Sequence, residues 1–212
     1  MQVVILCSSA QKSELTGGTA EPAAGVVWID EPAQFSESTG AGCFIDLLFD
    51  NTPERISTLS ALLPGLVVVH SVSETCARLG ASFVRVNGWN TFLSSSIVEA
   101  ACLDEGKKAG VEEAFGLLQK SIEWIDDIPG FITPRIVSAI INEAYYALED
   151  GVSTKAEIDV AMKLGTAYPY GPFDWAQRIG LNNIVTLLQQ LAIEQPRYAP
   201  CSLLVAEAKH TT

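Results

Sequence analysis

The chain has 212 residues, 25 acidic against 13 basic side chains and a formal net charge of −12. With 48% hydrophobic and only 18% charged residues it can bury a large core, which argues against disorder and favours one large domain or two small ones. The 13 Lys and Arg residues form no run that could neutralise neighbouring phosphates, which argues against a nucleic-acid partner.

The sequence pattern favours neither a membrane segment nor a metal site. The longest apolar stretch, residues 62–69, contains Pro64 and Gly65 and is much shorter than the roughly 20 residues that span a bilayer. Residues 1–7 contain an apolar run without a preceding positive charge, which predicts a buried strand and not a signal peptide. Five cysteines without a Cys-x-x-Cys pair and only two histidines argue against a zinc site. Reduced cysteines predict a cytoplasmic protein.

Short apolar, β-branched runs dominate the first part of the chain. They predict strands that are covered on both faces, hence a parallel or mixed sheet. The predicted strands are residues 3–6, 25–29, 44–49, 66–69, 83–86, 97–102 and 122–125. Pro53 opens a predicted helix that Pro64 ends, which gives one β-α-β unit, and a second helix is predicted near residues 111–120. Residues 11–25, rich in Gly, Thr, Ala and Pro, are predicted to form a loop.

From Asp126 onward the pattern becomes helical. Ile136, Ile140 and Ala144 recur at helical spacing, and Gly151 stands where a left-handed residue ends a helix. The other predicted helix boundaries are a capping box at Thr154 and Glu157, an end at Gly165, a cap at Asn183 for a helix over residues 184–194, and a start at Pro200 for a helix through residue 208. We therefore predict an α/β domain over residues 1–125 and an all-helical domain over residues 126–212.

Six short motifs follow one another in the helical part. They are residues 127–132, Arg135, and residues 142–144, 148–153, 158–165 and 169–173. This series closely resembles the C-terminal domain of 3-hydroxyacyl-CoA dehydrogenases, which interconvert 3-hydroxyacyl-CoA and 3-ketoacyl-CoA with a nicotinamide cofactor. The resemblance implies a shortened Rossmann-like domain followed by a helical domain like the C-terminal domain of 6-phosphogluconate dehydrogenase. It also implies a homodimer built mainly on the helical domain. The alternative is that these motifs only shape a helical bundle.

The resemblance extends into the first part of the chain. Residues 46–54 resemble the family's strand and turn beside the cofactor, so Asn51 and Glu54 are implied contacts of NAD. The segment that begins at position 87 resembles the one that holds the family's catalytic dyad. In it, Asn90 and Glu99 keep the family's Asn and Glu, whereas Asn87 stands at the position of its His.

A histidine elsewhere could supply the missing imidazole. His70 precedes Ser71, which lies about where the family has a serine that contacts the substrate oxygen. The resemblance thus makes His70 and Ser71 candidate catalytic residues. The alternative is a histidine at a strand end that is satisfied by local hydrogen bonds, and Glu99 could equally be structural.

Two departures from the family pattern bear on the chemistry. An amide cannot titrate, although Asn87 could donate a hydrogen bond to a carbonyl oxygen. Residues 7–12, after the first strand, hold no glycine, whereas a dinucleotide site sets G-x-G-x-x-G there. Two functions stay open. One is a shortened NAD-dependent 3-hydroxyacyl-CoA dehydrogenase with weak or no activity, and the other is a non-catalytic module for dimerisation or acyl-CoA binding.

Overall fold

The computed structural model describes residues 1–18, 24–38, 40–80 and 82–210. The chain divides into two compact units, Met1–Phe131 and Ile132–Thr212. None of the helices in these described residues combines the length and the apolar character that crossing a bilayer requires.

The first unit is built on a mixed sheet, as predicted. The described strands are β1 (Val3–Leu6), β2 (Val26–Ile29), β3 (Cys43–Asp46), β4 (Leu66–His70), β5 (Val84–Val86), β6 (Ile97–Ala101) and β7 (Ser121–Trp124). They lie in the order β2-β1-β3-β4-β5-β6-β7, and neighbouring strands run parallel except for β5 and β6. All the predicted strands are present, and only their ends differ.

Alternate residues of the inner strands face two separate apolar cores. Val3 and Ile5 of β1 belong to one core, whereas Val4 and Leu6 belong to the other. Because both faces of the strand are covered, every position is apolar and the usual alternation with polar residues is missing. The helices of this unit are α1 (Ser9–Thr16), α2 (Pro53–Ser60), α3 (Cys76–Leu79) and α4 (Lys108–Gly116), with 3-10 turns at Pro32–Phe35 and Glu105–Lys107.

Helix α1 corrects the prediction of a loop over residues 11–25. Ser8 Oγ accepts a hydrogen bond from the Gln11 N–H at 3.2 Å, and Gln11 Oε1 accepts one from the Ser8 N–H at 2.9 Å. This capping box starts a helix that Gly17, with φ of 61°, brings to an end. The composition of the whole segment concealed the short helical signal at its beginning. Residues 19–23 of the predicted loop lie outside the described residues.

A buried ion pair fixes the last residues of the first unit. Arg85 of β5 has a fully buried side chain, and its Nε lies 2.6 Å from Asp127 Oδ1. Its Nη2 donates to the Ile128 carbonyl oxygen at 2.6 Å, and its guanidinium carbon lies 4.2 Å from the centre of the Phe131 ring. These contacts hold residues 127–131 to the sheet, so the division after Phe131 falls later than the predicted boundary after residue 125.

The second unit is helical throughout its regular structure. Its helices are α5 (Thr133–Glu149), α6 (Lys155–Thr166), α7 (Pro172–Ile179), α8 (Leu181–Ala192) and α9 (Ser202–His210), with a 3-10 turn at Pro196–Tyr198. The left-handed Gly151, with φ of 70°, is confirmed, and so is the capping box of Thr154 and Glu157.

The predicted boundaries at Gly165 and Asn183 are wrong, and one helix of this unit was not predicted. Helix α6 continues past Gly165 to Thr166, and the next residue, Ala167, caps it in the left-handed conformation with φ of 57°. Helix α8 begins after Gly180, so Asn183 lies inside its first turn. The Asn183 Nδ2 donates a hydrogen bond to the Ile179 carbonyl oxygen at 2.7 Å. Helix α7 was not predicted, although Pro172 stands at its first position, where proline favours a helix start.

Asp159 explains why α7 forms. Its Oδ1 accepts a hydrogen bond from the Phe173 N–H at 2.8 Å, and its Oδ2 accepts one from the Asp174 N–H at 3.1 Å. A carboxylate on α6 thus satisfies the free N–H groups at the start of α7. A Cβ at Gly171 would lie 2.3 Å from Asp159 Cγ, so only glycine permits this close approach.

We expect Arg85→Leu to lower the free energy of unfolding by about 3 to 5 kcal/mol, because it leaves the carboxylate of Asp127 without its buried partner. The matched control is Arg78→Leu. Arg78 pairs with Glu74 at 3.3 Å with a largely exposed side chain, so its loss should cost less than about 1 kcal/mol. Urea unfolding of the three proteins measures both values. Equal losses in the two variants would contradict the role of Arg85.

Gly171→Ala should lower the free energy of unfolding by about 1 to 3 kcal/mol, since its methyl group must displace Asp159. Gly165→Ala is the control. Nothing lies within 4 Å of a Cβ at Gly165, which is inside α6, so alanine there should raise the free energy of unfolding by about 0.5 to 1 kcal/mol. Urea titration of both variants tests the opposite signs. A neutral Gly171→Ala variant would show that Asp159 does not need this approach.

Candidate functional site

The strand order places a crevice at the carboxyl ends of β1 and β3. The chain places β2 on one side of β1 and β3 on the other, so the order of the parallel strands reverses at this point. Ligands of open α/β sheets bind in such a crevice, outside the carboxyl ends of the strands. Leu6, Asp46 and His70 end β1, β3 and β4, which makes this end of the sheet the place to look for a site.

The side chain of Gln11 lies buried at the start of α1, on the side of this crevice. Its Nε2 donates to the Gly88 carbonyl oxygen at 2.8 Å and to the Leu47 carbonyl oxygen at 3.1 Å. Its Oε1 accepts the Ser8 N–H, so the carboxamide joins three segments of the chain. A glycine-rich turn would leave backbone amides open here, whereas this chain fills the space with a satisfied side chain. This role was not predicted from the sequence, although the Ser8-x-x-Gln11 spacing was a usable signal.

Asp46 at the end of β3 is a second feature that was not predicted from the sequence. Its side chain is fully buried, with Oδ2 2.7 Å from Arg55 Nε and Oδ1 accepting the Leu48 N–H at 3.0 Å. Burial raises the pKa of Asp46 to about 6, although the nearby Arg55 guanidinium acts to lower it. An acidic residue at the end of an otherwise apolar strand was the signal.

The two residues implied as NAD contacts lie on the segment that begins α2. Asn51 is exposed and takes a left-handed backbone conformation with φ of 58°. Glu54 is exposed in the first turn of α2, where a carboxylate is favoured by the helix dipole. Thr52 Oγ1 caps this helix by accepting the Arg55 N–H at 3.3 Å. Local structure therefore accounts for the positions of both residues.

Asn87 and Glu99 contact each other, as the resemblance implies for the dyad positions. Asn87 Nδ2 donates to Glu99 Oε2 at 3.3 Å, and the Asn87 N–H donates to the Glu99 carbonyl oxygen at 3.0 Å. Asn87 Oδ1 accepts the Trp89 N–H at 3.2 Å, which assigns the orientation of the amide. Both side chains are buried. Asn90 is half-buried in the turn that follows Trp89.

His70 contacts the same turn from the end of β4. The Gly88 N–H donates to His70 Nδ1 at 2.9 Å, so the neutral ring carries its proton on Nε2 and its lone pair is in use. Burial lowers the pKa of His70 to about 4. A Cβ at Gly88 would lie 3.0 Å from Nδ1, so glycine permits the contact. Ser71 Oγ donates to the Glu74 carbonyl oxygen at 3.2 Å.

Hydrogen bonds therefore connect four polar side chains to the turn at residues 88 and 89. Gln11, His70 and Asn87 each hydrogen bond to main-chain groups of residues 88 and 89, and Glu99 accepts from Asn87. Such an arrangement can hold the turn in one conformation. As a base for an alcohol it is poor, because the amide does not titrate and the histidine lone pair already accepts a hydrogen bond.

Comparison with known proteins gives the family. The sequence model of the 3-hydroxyacyl-CoA dehydrogenase C-terminal domain matches residues 130–211. The 3-hydroxyadipyl-CoA dehydrogenase of Escherichia coli K12 is 30% identical over 204 residues, which cover 94% of this chain and 43% of that protein. The chain belongs to the 3-hydroxyacyl-CoA dehydrogenase family. The 3-hydroxybutyryl-CoA dehydrogenase of Bradyrhizobium diazoefficiens is 36% identical over 69% of this chain and 54% of its own length.

Solved structures agree with this dehydrogenase fold. The (S)-3-hydroxybutyryl-CoA dehydrogenase of Ralstonia eutropha has a TM-score of 0.77 at 19% identity and covers 99% of this chain and 94% of its own. The 3-hydroxybutyryl-CoA dehydrogenase of E. coli K12 has a TM-score of 0.58 at 34% identity over 68% of this chain and 31% of its own. The fold class and the family predicted from the motifs are confirmed. The chain spans about half the length of the two curated relatives compared above.

Asp46 should make the stability of the chain depend on pH between about 4 and 6. Its pKa in the folded protein, about 6, exceeds its ordinary value of 3.8. The stability that protonated Asp46 contributes is therefore fully present below pH 3.8 and is lost as the pH rises through 6. The difference in free energy of unfolding, Asp46→Asn minus wild type, should rise across this window.

Urea unfolding at several pH values measures that difference. Arg55 stays charged throughout, so the loss of its partner shifts the difference by a constant and leaves its slope unchanged. Asp50→Asn is the control, because Asp50 is exposed and the Thr52 N–H lowers its pKa. Asp50→Asn should show no rise between pH 4 and 6. A flat difference for Asp46→Asn would show that its pKa is not raised.

Proposed function

We propose that this chain is a 3-hydroxyacyl-CoA dehydrogenase-type protein with weak or no dehydrogenase activity of its own, and that it serves as a module for acyl-CoA binding and dimerisation. The hydrogen bond from Asn87 to Glu99 supports this proposal, since the family resemblance implies an imidazole at position 87 and this chain has an amide there. The family reaction moves a hydride and a proton between the C3 alcohol of an acyl-CoA and an acceptor. This chain can offer hydrogen bonds at Asn87 but no proton acceptor there.

The proton is the first difficulty for catalysis. Oxidation of a secondary alcohol needs a base that takes the hydroxyl proton, and imidazole suits this task because its pKa lies near neutrality. Asn87 neither takes nor releases a proton, and its Oδ1 and Nδ2 already bond Trp89 and Glu99. Glu99 therefore orients an amide, whereas beside a histidine it would stabilise the protonated imidazole.

The cofactor is the second difficulty, because the residues at the crevice do not fit a dinucleotide. A pyrophosphate needs open backbone amides and space at the start of the first helix. Here Gln11 fills that space and is held by the Leu47 and Gly88 carbonyl oxygens. The fully buried Asp46 at the end of β3 adds a carboxyl group to the same end of the sheet. A dinucleotide would have to displace buried and satisfied hydrogen bonds.

A second candidate function is a dehydrogenase that uses His70 as its base. The contact between His70 and Gly88, next to Asn87, favours it, because it brings an imidazole to the same turn. Against it, Nδ1 is the only basic nitrogen of the neutral ring, and it accepts the Gly88 N–H. A pKa of about 4 also makes His70 a weak base.

Dimerisation and location complete the proposal. Several large apolar side chains of the helical unit are well exposed, including Ile136 at 53%, Leu164 at 84% and Ile193 at 72%. A second copy of the chain would remove such groups from water, which supports a homodimer built on this unit. All five cysteines are free thiols, which suits a reducing compartment and supports a cytoplasmic location.

We expect the wild-type chain to reduce acetoacetyl-CoA with NADH at a rate roughly 100- to 10,000-fold below that of a relative with the histidine. Asn87→His restores an imidazole beside Glu99 and should raise any measurable rate. Asn87→Gln is the matched control, because it changes the side chain without adding a titratable group. Brisk wild-type turnover that His70→Ala abolishes would overturn the proposal in favour of His70.

Binding measurements separate the module from an inert chain. If acetoacetyl-CoA raises the melting temperature while NADH does not, the acyl-CoA module is supported. A melting temperature unchanged by acetoacetyl-CoA would remove acyl-CoA binding from the proposal. Light scattering that gives a single-chain mass at micromolar concentration would remove the dimer.

NADH itself should bind weakly or not at all to the wild-type chain in a calorimetric titration. Gln11→Gly removes the side chain that fills the crevice and should bind NADH more tightly than the wild type does. Gln11→Glu keeps the size but adds a negative charge, so it should bind no better than the wild type. Micromolar affinity of the wild type would show that the crevice opens for the cofactor.

A further inference from the structure

Helix α6 of the second unit presents an exposed apolar stripe. Ala156, Val160 and Leu164 recur at intervals of four residues, so they lie along one side of the helix. Val152 stands four residues before Ala156, just ahead of the helix. Val152 is 72% exposed, Val160 56% and Leu164 84%, and none of the residues of α6, which are all described, is buried. These four side chains form the α6 stripe.

Contacts on its other sides hold α6 in place within the second unit. Asp159 accepts the N–H groups of Phe173 and Asp174 at the start of α7. Lys155 Nζ donates to Glu207 Oε2 of α9 at 2.7 Å. The stripe is therefore not needed to attach the helix, and the four apolar groups stand in water in a fixed array. An ordered and exposed apolar surface of this kind is typical of a protein interface.

The lengths of the relatives indicate what covers the stripe. The 3-hydroxyadipyl-CoA dehydrogenase of E. coli matches 94% of this chain with only 43% of its own length, so the part outside the match is longer than the part inside it. The Ralstonia eutropha structure, in contrast, covers 99% of this chain with 94% of its own. This chain thus has the fold of one dehydrogenase subunit, and the E. coli protein has room for a second, longer subunit beside the matching part.

A longer family member fits the stripe better than a second copy of this chain. Joining two subunits in one chain raises their effective concentration for each other, which favours subunits that bind each other. A second copy would also carry a net charge of −12, and the repulsion between two such charges weakens their association. Because Asn87 offers no proton acceptor, the partner that complements this chain is one that supplies it.

We propose that the α6 stripe binds the helical domain of a complete 3-hydroxyacyl-CoA dehydrogenase, a separate chain with the histidine that Asn87 replaces here. The inference rests on the function proposed above, because it names the preferred partner of the same dimerising unit. Helices of two related domains cross with their apolar ridges interdigitated, which removes Val160 and Leu164 from water. A second copy of this chain occupies the stripe more weakly.

Native mass spectrometry of mixed chains tests the partner. The probe is the intact 3-hydroxybutyryl-CoA dehydrogenase of Bradyrhizobium diazoefficiens, which is 36% identical to this chain over the matched residues. At equal micromolar concentrations, we expect complexes with one chain of each protein to outnumber pairs of this chain. Mixed complexes that are absent, or fewer than those pairs, would overturn the inference. Light scattering of this chain alone tests its homodimer separately, so a single-chain mass there together with a mixed complex would remove the homodimer and support the inference.

A charge placed on the stripe locates the contact. Val160→Glu puts a carboxylate where the interface excludes water, so it should weaken the mixed complex by roughly tenfold or more. Ile97→Glu is the matched control, because Ile97 of β6 is 52% exposed and the substitution adds the same charge to the first unit. This control should leave the affinity unchanged, and circular dichroism checks that both variants fold. Equal weakening by the two variants, or no weakening by Val160→Glu, would show that α6 is not the contact.

Discussion

The first unit depends on the buried ion pair between the Arg85 guanidinium and Asp127. The guanidinium is a cation without exposed surface, and Asp127, the Ile128 carbonyl oxygen and the Phe131 ring surround it. Burying a charge costs free energy unless the charge is paired and hydrogen bonded, so Arg85 can be buried only when these groups surround it. Although burial acts to raise it, the Cys76 N–H and the guanidinium hold the pKa of Asp127 below its ordinary value.

The consequences of this ion pair reach the candidate site. Asp127 also accepts the N–H groups of Cys76 and Ala77, so it starts the short helix α3. Arg85 Nη1 donates to the Ser71 carbonyl oxygen at 3.4 Å, next to His70. Val86, between Arg85 and Asn87, pairs with His70 in the sheet. The strand ends that carry His70 and Asn87 are therefore held in place by a residue that contacts neither side chain.

Hydrogen bonds with amides and an imidazole hold the turn after β5. Gln11 and Asn87 make directed hydrogen bonds to backbone groups, and the His70 ring accepts one. A network in which donors meet acceptors is rigid and stable. The buried carboxyl of Asp46, at the same end of the sheet, has its pKa raised by burial to about 6, and it faces Arg55.

The amino-acid sequence by itself determined the strands, most of the helices and the family. Periodicity, caps and the six motifs are local, so they can be read without knowing what lies nearby in space. Only the tertiary structure decided which polar groups meet. Arg85 and Asp127 are 42 residues apart, and Gln11 and Gly88 are 77 apart. A buried donor takes whichever acceptor the fold brings to it, and that proximity depends on strand order and register, which no local pattern specifies.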